Sequence, residues 1–102
     1  MNIEVLLKLL NQGQDNLLLR FGLAQALLQE GKHTEAISHL EKALQFDPAH
    51  TASLKLLGKA YATAGDSDKA VEIYTNGIEQ AEQKGDIQAA KEMKVFLKRL
   101  LK

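Results

Sequence analysis

The amino-acid sequence contains no cysteine, a single proline and only five aromatic residues in 102. The missing cysteine excludes disulfides, cysteine-ligated zinc sites and thiol catalysis. The scarcity of proline and aromatic residues favours helices over strands. An excess of charge of one sign is also lacking, because 13 Lys and Arg residues balance 13 Asp and Glu residues. A protein that bulk positive charge holds on nucleic acid is therefore not expected.

Long hydrophobic runs are absent as well. The longest unbroken aliphatic stretches, such as 5–7 and 17–19, have three residues, whereas a membrane-spanning helix needs about 20 apolar residues. The first residues also lack the basic segment and cleavage site of a secretory signal. We therefore expect no membrane span and a cytoplasmic protein. A length of 102 residues with 45% hydrophobic residues is typical of one globular domain.

The sequence does contain helical periodicity throughout. Apolar residues recur at i, i+3 and i+7, as in Leu54, Leu57 and Tyr61, and this spacing places them on one helix face. No segment shows the sustained alternation of a half-buried strand. The pattern predicts an all-α chain with six helices, at about 2–12, 16–30, 33–46, 50–64, 67–84 and 86–101.

Turn and capping residues separate these predicted helices. Gly31, Gly65 and Gly85 each follow a helical segment, where a left-handed backbone conformation commonly ends a helix. Short polar side chains stand near the start of the helices that follow, where they accept hydrogen bonds from free backbone amides. The candidate capping residues are Ser67, Asp68 and Asp86.

An internal repeat is found when residues 17–50 are aligned with residues 51–84. At this offset of 34 residues, four pairs are identical: Leu23 with Leu57, Ala26 with Ala60, Gly31 with Gly65, and Ala36 with Ala70. The identities fall at the glycine turn and at small or apolar helix positions, which is the sign of a helix–turn–helix repeat. The offset also relates the first predicted helix to the segment 37–44.

The sequence resembles the tetratricopeptide repeat (TPR) family, whose unit is an antiparallel helix pair of 34 residues. The second repeat matches best in its first helix, at Leu54, Leu57-Gly58, Tyr61, Gly65-Asp66, Ala70 and Tyr74. The first repeat matches best in its second helix, at Gly31, Ala36, Leu40, Ala43 and Asp47-Pro48. The departures are Arg20 at a large apolar position, Gly77 at the last alanine, and no proline after the second repeat.

The resemblance implies a TPR-type α-solenoid of about six antiparallel helices, in one domain that covers residues 1–102. Residues 1–14 would form a degenerate half repeat, 17–50 the first repeat, 51–84 the second repeat, and 85–102 a capping helix. Leu57, Gly58 and Tyr61 are expected at the packed centre, and Ala26 and Ala36 at close helix crossings.

The sequence offers no set of residues with catalytic or metal-binding spacing. His33 and His39 are six residues apart and do not share a helix face, and all three histidines, including His50, are expected to be exposed. Gly31-Lys32 and Gly58-Lys59 lack the earlier glycine that a phosphate-binding loop requires. We therefore expect no enzymatic activity, no cofactor, no metal and no small-molecule substrate.

The resemblance to TPR proteins implies an adaptor or scaffold that binds a protein or peptide on the concave face of its first helices. It maps this face to residues spaced i, i+3, i+7 and i+10 along each of these helices. The predicted peptide-binding residues are Leu18, Phe21, Gln25, Leu28, Lys55, Lys59, Ala62 and Lys94. Phe21 would be an apolar anchor beside a strip of three lysines, so a partner with a hydrophobic residue next to acidic ones is expected.

The last predicted helix supports two alternatives. Residues 86–102 hold five basic and two acidic residues, a net charge of +3, and the rest of the chain carries −3. A basic amphipathic helix can bind nucleic acid or a membrane surface. Its apolar residues extend beyond one stripe and include Val95 and Leu101, so the second alternative is a structural protein that forms a homodimer through this helix.

Overall fold

The computed structural model describes residues 2–102, which form six α-helices and no strand. The helices are α1 (Ile3–Asn11), α2 (Leu17–Gln29), α3 (His33–Phe46), α4 (Thr51–Thr63), α5 (Ser67–Lys84) and α6 (Ile87–Leu100). This confirms the six predicted helices, whose ends were each predicted to within one residue.

Glycines and short polar side chains set the helix ends. Gly31, Gly65 and Gly85 have φ values of 75°, 88° and 76°, so the predicted left-handed turns are confirmed. Asp86 caps α6, because its side chain accepts a hydrogen bond from the backbone N–H of Ala89. The expected caps of α5 were wrong: Ser67 and Asp68 lie inside the helix, and the capping carboxylate belongs to Asp66.

The helices pack as antiparallel neighbours. α2 pairs with α3 and α4 with α5, while α1 lies on α2 at one end and α6 lies on α5 and α4 at the other. Small residues permit the close crossings, since Ala36, Ala60 and Ala70 are completely buried. Buried leucines fill the spaces between α1, α2, α3 and α4.

A second group of buried side chains joins α5 to α6. Tyr74 and Met93 are its largest members, 2% and 0% exposed. Tyr61 is only half-buried, so the expectation that its ring lies at the packed centre was wrong. Tyr74 from α5 occupies that centre instead, because Gly58 leaves room for its ring.

The lengths and composition of these helices also bear on membrane insertion. Over the described part of the chain, none is both long and apolar enough to cross a membrane.

Candidate functional site

The first helices of the two pairs, α2 and α4, contact each other, and the final helix α6 contacts α4 on its other side. Depressions open between α2 and α4 and between α4 and α6. α4 is the central helix, because it contacts both α2 and α6. The side chains between α2 and α4 enclose about 350 Å³; we call this the α2–α4 groove. Its lining residues are Gln25, Leu28, Gln29, His33, Leu56, Lys59 and Thr63.

A smaller depression lies between the C-terminal halves of α4 and α6; we call it the α4–α6 pocket. It encloses about 210 Å³, and its walls are mostly apolar. Its lining residues are Lys59, Ala62, Thr63, Tyr74, Phe96, Arg99 and Leu100. Lys59 and Thr63 also line the α2–α4 groove, so the two depressions adjoin across α4.

Aromatic stacking shapes the wall of the α4–α6 pocket. The rings of Tyr74 and Phe96 are stacked, with centroids 5.7 Å apart and an interplanar angle of 27°. The Arg99 guanidinium carbon lies 5.8 Å from the Phe96 ring centroid, within the range of a cation–π interaction. Burial raises the pKa of Tyr74 to about 12, so its phenol stays neutral and can donate a hydrogen bond.

Charges are paired between the N-terminal halves of α4 and α6. Lys55 Nζ donates a hydrogen bond of 2.8 Å to Glu92 Oε2, and this contact lowers the pKa of the Glu92 carboxyl below its usual value. Thr51 donates a hydrogen bond to Asp86 in the same region. Lys55 is therefore neutralised by a residue of this chain and offers a partner less positive charge than was expected.

Phe21, the predicted apolar anchor, is partly buried. Its ring packs against the buried leucine cluster and meets the His50 ring edge-on, with centroids 5.7 Å apart. The side chain of Leu18 is 75% exposed at the start of α2. Gln25 and Leu28 lie in the α2–α4 groove with Lys59, and Ala62 lies in the α4–α6 pocket.

Lys94 does not join Lys55 and Lys59, so the predicted strip of three lysines was wrong. Its Nζ donates a hydrogen bond of 2.8 Å to Glu82 of α5. The reason is helical geometry: Glu92 faces Lys55 of α4, and residues two positions apart lie about 200° apart around a helix axis. Lys94 therefore lies on the opposite flank of α6.

Sequence reasoning missed three residues of α6 that do face α4: Glu92, Phe96 and Arg99. Their spacing of four and three residues is the signal of a shared helix face. Neither Arg99 nor Phe96 is among the predicted peptide-binding residues, and Arg99 contributes to the sequence-based prediction only through the count of basic residues of segment 86–102. The face that each residue occupies depends on how α6 packs on α4 and α5.

The histidines are partly buried rather than exposed, so that expectation was wrong. His50 caps α4, with its Nδ1 accepting from the Ser53 backbone N–H and lying 2.6 Å from the Ser53 hydroxyl oxygen. Arg20 holds Asp15 with two hydrogen bonds and lies 3.0 Å from His39 Nδ1. The contact between Arg20 and His39 joins α2 to α3, and the other contacts are local. Among the described residues no three His, Asp or Glu side chains form a cluster that could hold a metal ion.

Comparisons with known proteins agree with this architecture. A family model described as tetratricopeptide repeat matches residues 27–93. A TPR repeat-containing protein of Pseudomonas aeruginosa is 46% identical over 100 residues, which cover 98% of this chain and 95% of that protein.

Two solved protein structures are also similar to the structure of this chain. The solution structure of a protein from Bordetella parapertussis has a TM-score of 0.87 and 39% sequence identity, covering 99% of this chain and 88% of that chain. A tetratricopeptide repeat domain protein from Salinibacter ruber has a TM-score of 0.77 and 26% identity, covering 84% of this chain and 87% of that chain.

Proposed function

The chain belongs to the tetratricopeptide repeat family, and we propose that it is an adaptor that binds a protein segment across the face lined by α2, α4 and α6. Domains of this family generally mediate protein–protein interactions and are generally non-catalytic. The proposal adds the place of binding and a role for individual residues.

The observation that supports this place is the junction of the two depressions at Lys59. The α2–α4 groove and the α4–α6 pocket share Lys59 and Thr63 and enclose about 350 and 210 Å³. A bound segment can cross α4 at this junction and place side chains on both sides of it. Recognition of extended or helical segments by a groove of this kind rests on a few anchored side chains.

On the face lined by α2, α4 and α6, the ion pair of Lys55 with Glu92 favours a protein partner over nucleic acid. Lys55 and Lys94 are paired with Glu92 and Glu82, and Arg99 packs over Phe96. Nucleic-acid binding depends on several unpaired cations that follow the phosphate backbone. Within residues 2–102, Lys59 forms no ion pair with an acidic side chain and lies at the junction of the two depressions, which suits contact with an acidic side chain of a partner.

The test begins with capture of partners from native cell extract and their identification by mass spectrometry. The affinity of a purified partner is then measured by calorimetry for the original chain, for Lys59→Glu and for Lys42→Glu. Lys42 is an exposed lysine of α3, which does not line either depression. It is the matched control for the same change of charge.

The expected result is weaker binding by Lys59→Glu alone, with both variants melting at nearly the temperature of the original chain. Equal affinities of all three proteins would contradict the proposed face. Loss of binding by Lys42→Glu alone would place the site on the opposite side of the repeats. High salt should weaken a contact made by an exposed lysine only moderately.

A further inference from the structure

The α4–α6 pocket differs from the rest of the face in having apolar walls and a basic rim. Ala62, Phe96 and Leu100 form its sides, and the Tyr74 ring contributes to its base. The volume of about 210 Å³ is larger than a cavity of about 150 Å³ that accommodates a benzene molecule. One leucine-sized or phenylalanine-sized side chain therefore fits.

The rim carries two cations, Lys59 and Arg99. Within residues 2–102 neither forms an ion pair with an acidic side chain, whereas Lys55 and Lys94 do. Both are exposed, and both line the same apolar pocket. An apolar pocket with unneutralised positive charge at its rim is complementary to an apolar side chain that has carboxylates beside it.

We propose that the α4–α6 pocket is the specificity pocket for the partner and binds one apolar side chain whose neighbouring acidic residues contact Lys59 and Arg99. This inference rests on the proposed function and adds the chemistry of the partner. The occupant is an internal segment of a protein chain, of the form acidic–apolar–acidic.

An internal segment is favoured over a small amphiphile because the pocket is not closed at Lys59. Lys59 and Thr63 continue into the α2–α4 groove, where Gln25 and Gln29 offer polar side chains. A chain that leaves the pocket past Lys59 therefore enters a second depression, in which amides can bond to its backbone. A ligand with a single apolar group and one charge would leave that groove empty.

The experiment uses nuclear magnetic resonance titration of the full chain, labelled with ¹⁵N, because weak peptide binding is detectable by this method. The probe is the blocked peptide acetyl-Gly-Glu-Leu-Glu-Gly-amide. Two comparison peptides replace either both glutamates by glutamine or the leucine by alanine. The expected result is a shift of the amide signals of Lys59, Ala62, Thr63 and Arg99 by the probe.

The comparison peptides separate charge from apolar contact. The glutamine peptide should bind about two- to fivefold more weakly, as expected for exposed ion pairs. The alanine peptide should bind about tenfold more weakly, because it buries less apolar surface. Equal binding of all three peptides would overturn the proposal.

Three variants test the pocket itself. Arg99→Gln and Lys59→Gln each remove one rim charge, and each should weaken the binding of the probe about two- to fivefold. Ala62→Leu fills the pocket without changing charge and should abolish the shifts, with thermal melts to verify folding. Lys98→Gln is the control, since Lys98 is an exposed neighbour of Arg99 outside the pocket, and it should bind like the original chain.

The outcomes distinguish this inference from the proposed function. Shifts confined to Gln25, Leu28 and Leu56 and unaffected by Arg99→Gln would overturn the pocket assignment while leaving binding to this face intact. If no peptide causes shifts but Lys59→Glu still lowers the affinity for the captured partner, only the proposed specificity of the pocket is overturned. If Lys59→Glu leaves the affinity for that partner unchanged, the proposed function is contradicted as well.

Discussion

The Tyr74 ring lies against the backbone of Gly58 so closely that a β-carbon at position 58 would approach its Cε1 atom to 2.5 Å. Two further ring atoms would lie at 2.7 and 2.8 Å. Tyr74 is 2% exposed and is stacked on Phe96, so its ring has little room to move away. The absence of a side chain at Gly58 thus determines how closely α4 and α5 approach.

We therefore expect Gly58→Ala to destabilise the fold. Alanine gains about 1 kcal/mol of helix propensity over glycine, but overpacking of a filled core costs about 1–3 kcal/mol. The net expectation is a loss of about 1 kcal/mol in the free energy of unfolding, measured by urea denaturation. A loss of this size lowers Tm by about 4–8 °C in a domain of this length.

Gly77→Ala is the matched control, because this substitution inside α5 gains the same helix propensity. A β-carbon at position 77 would meet the sulfur of Met93 at 2.6 Å, and a methionine side chain has three rotatable bonds with which to move. Gly77→Ala should therefore be more stable than Gly58→Ala by about 1 kcal/mol. Equal stability of the two variants would show that the Tyr74 ring yields as readily as Met93.

The helices were predictable from sequence because their signals are local. Apolar spacing and the glycines at positions 31, 65 and 85 define each helix within a stretch of about 11–19 residues. Which aromatic ring occupies the centre was not predictable in the same way. Tyr61 and Tyr74 both have helical spacing with leucines or isoleucines, and only the packing of α5 against Gly58 decides that Tyr74 is buried.

The candidate site was predictable only where the repeat itself was regular. Gln25, Leu28, Lys59 and Ala62, which the repeat pattern places on one side of α2 and α4, line the two depressions; that they bind a partner stays a prediction. The prediction for Lys94 was wrong because α6 packs against both α5 and α4, and these contacts determine its orientation. Lys94 is two positions from Glu92 and five from Arg99, which places it about 200° and about 140° from them around the axis of α6, so it cannot share their face toward α4.

His50→Ala should destabilise the start of α4. His50 Nδ1 accepts a hydrogen bond from the Ser53 backbone N–H and contacts the hydroxyl of Ser53, which is completely buried. Loss of an N-terminal cap costs about 1 kcal/mol, and the unpaired buried hydroxyl adds about 1–3 kcal/mol. His50→Asn keeps a capping oxygen and should recover part of the loss in urea denaturation. Equal destabilisation by alanine and asparagine would contradict the capping role.

Acidification should weaken the fold through His39. Burial, followed by the positive charge of Arg20, lowers the pKa of His39 below its usual 6.5. Because the unfolded chain binds this proton more tightly, the stability present above about pH 6.5 is lost as the pH falls through the folded pKa. The lowered pKa values of Asp15 and Glu92 act only in the more acidic range below about pH 4.

The measurement is the free energy of urea unfolding at a series of pH values for the original chain and His39→Gln. Glutamine retains an oxygen that can accept a hydrogen bond from Arg20 but does not titrate. The decline just below pH 6.5 should be smaller in His39→Gln than in the original chain. A decline of the same slope in both proteins would assign the effect to other groups.

One alternative from the sequence is a homodimer formed through α6. We expect that the flank of α6 carrying Ile87, Lys91, Lys94, Lys98 and Leu101, called the outer flank, does not support such a symmetric dimer. Ile87 and Leu101 are both 66% exposed and Val95 is 48% exposed, but Lys91, Lys94 and Lys98 lie between Ile87 and Leu101 on this flank. Lys94 is paired with Glu82, whereas within residues 2–102 Lys91 and Lys98 form no ion pair. In an antiparallel pair of α6 helices, a two-fold axis would place Lys91 of each copy against Lys98 of the other. Like charges that face each other oppose association.

We therefore expect sedimentation equilibrium to give a monomer at neutral pH and low salt, up to the highest concentration that stays in solution. Lys91→Glu tests the reason, because it places a carboxylate against Lys98 of the facing copy and so replaces a repulsive contact by an attractive one. If charge repulsion is what keeps the apolar ends of this flank apart, the variant should associate more strongly than the original chain. A stable dimer of the original chain that Ile87→Ser or Leu101→Ser dissociates would show instead that apolar contact at the two ends of α6 outweighs the repulsion of its lysines.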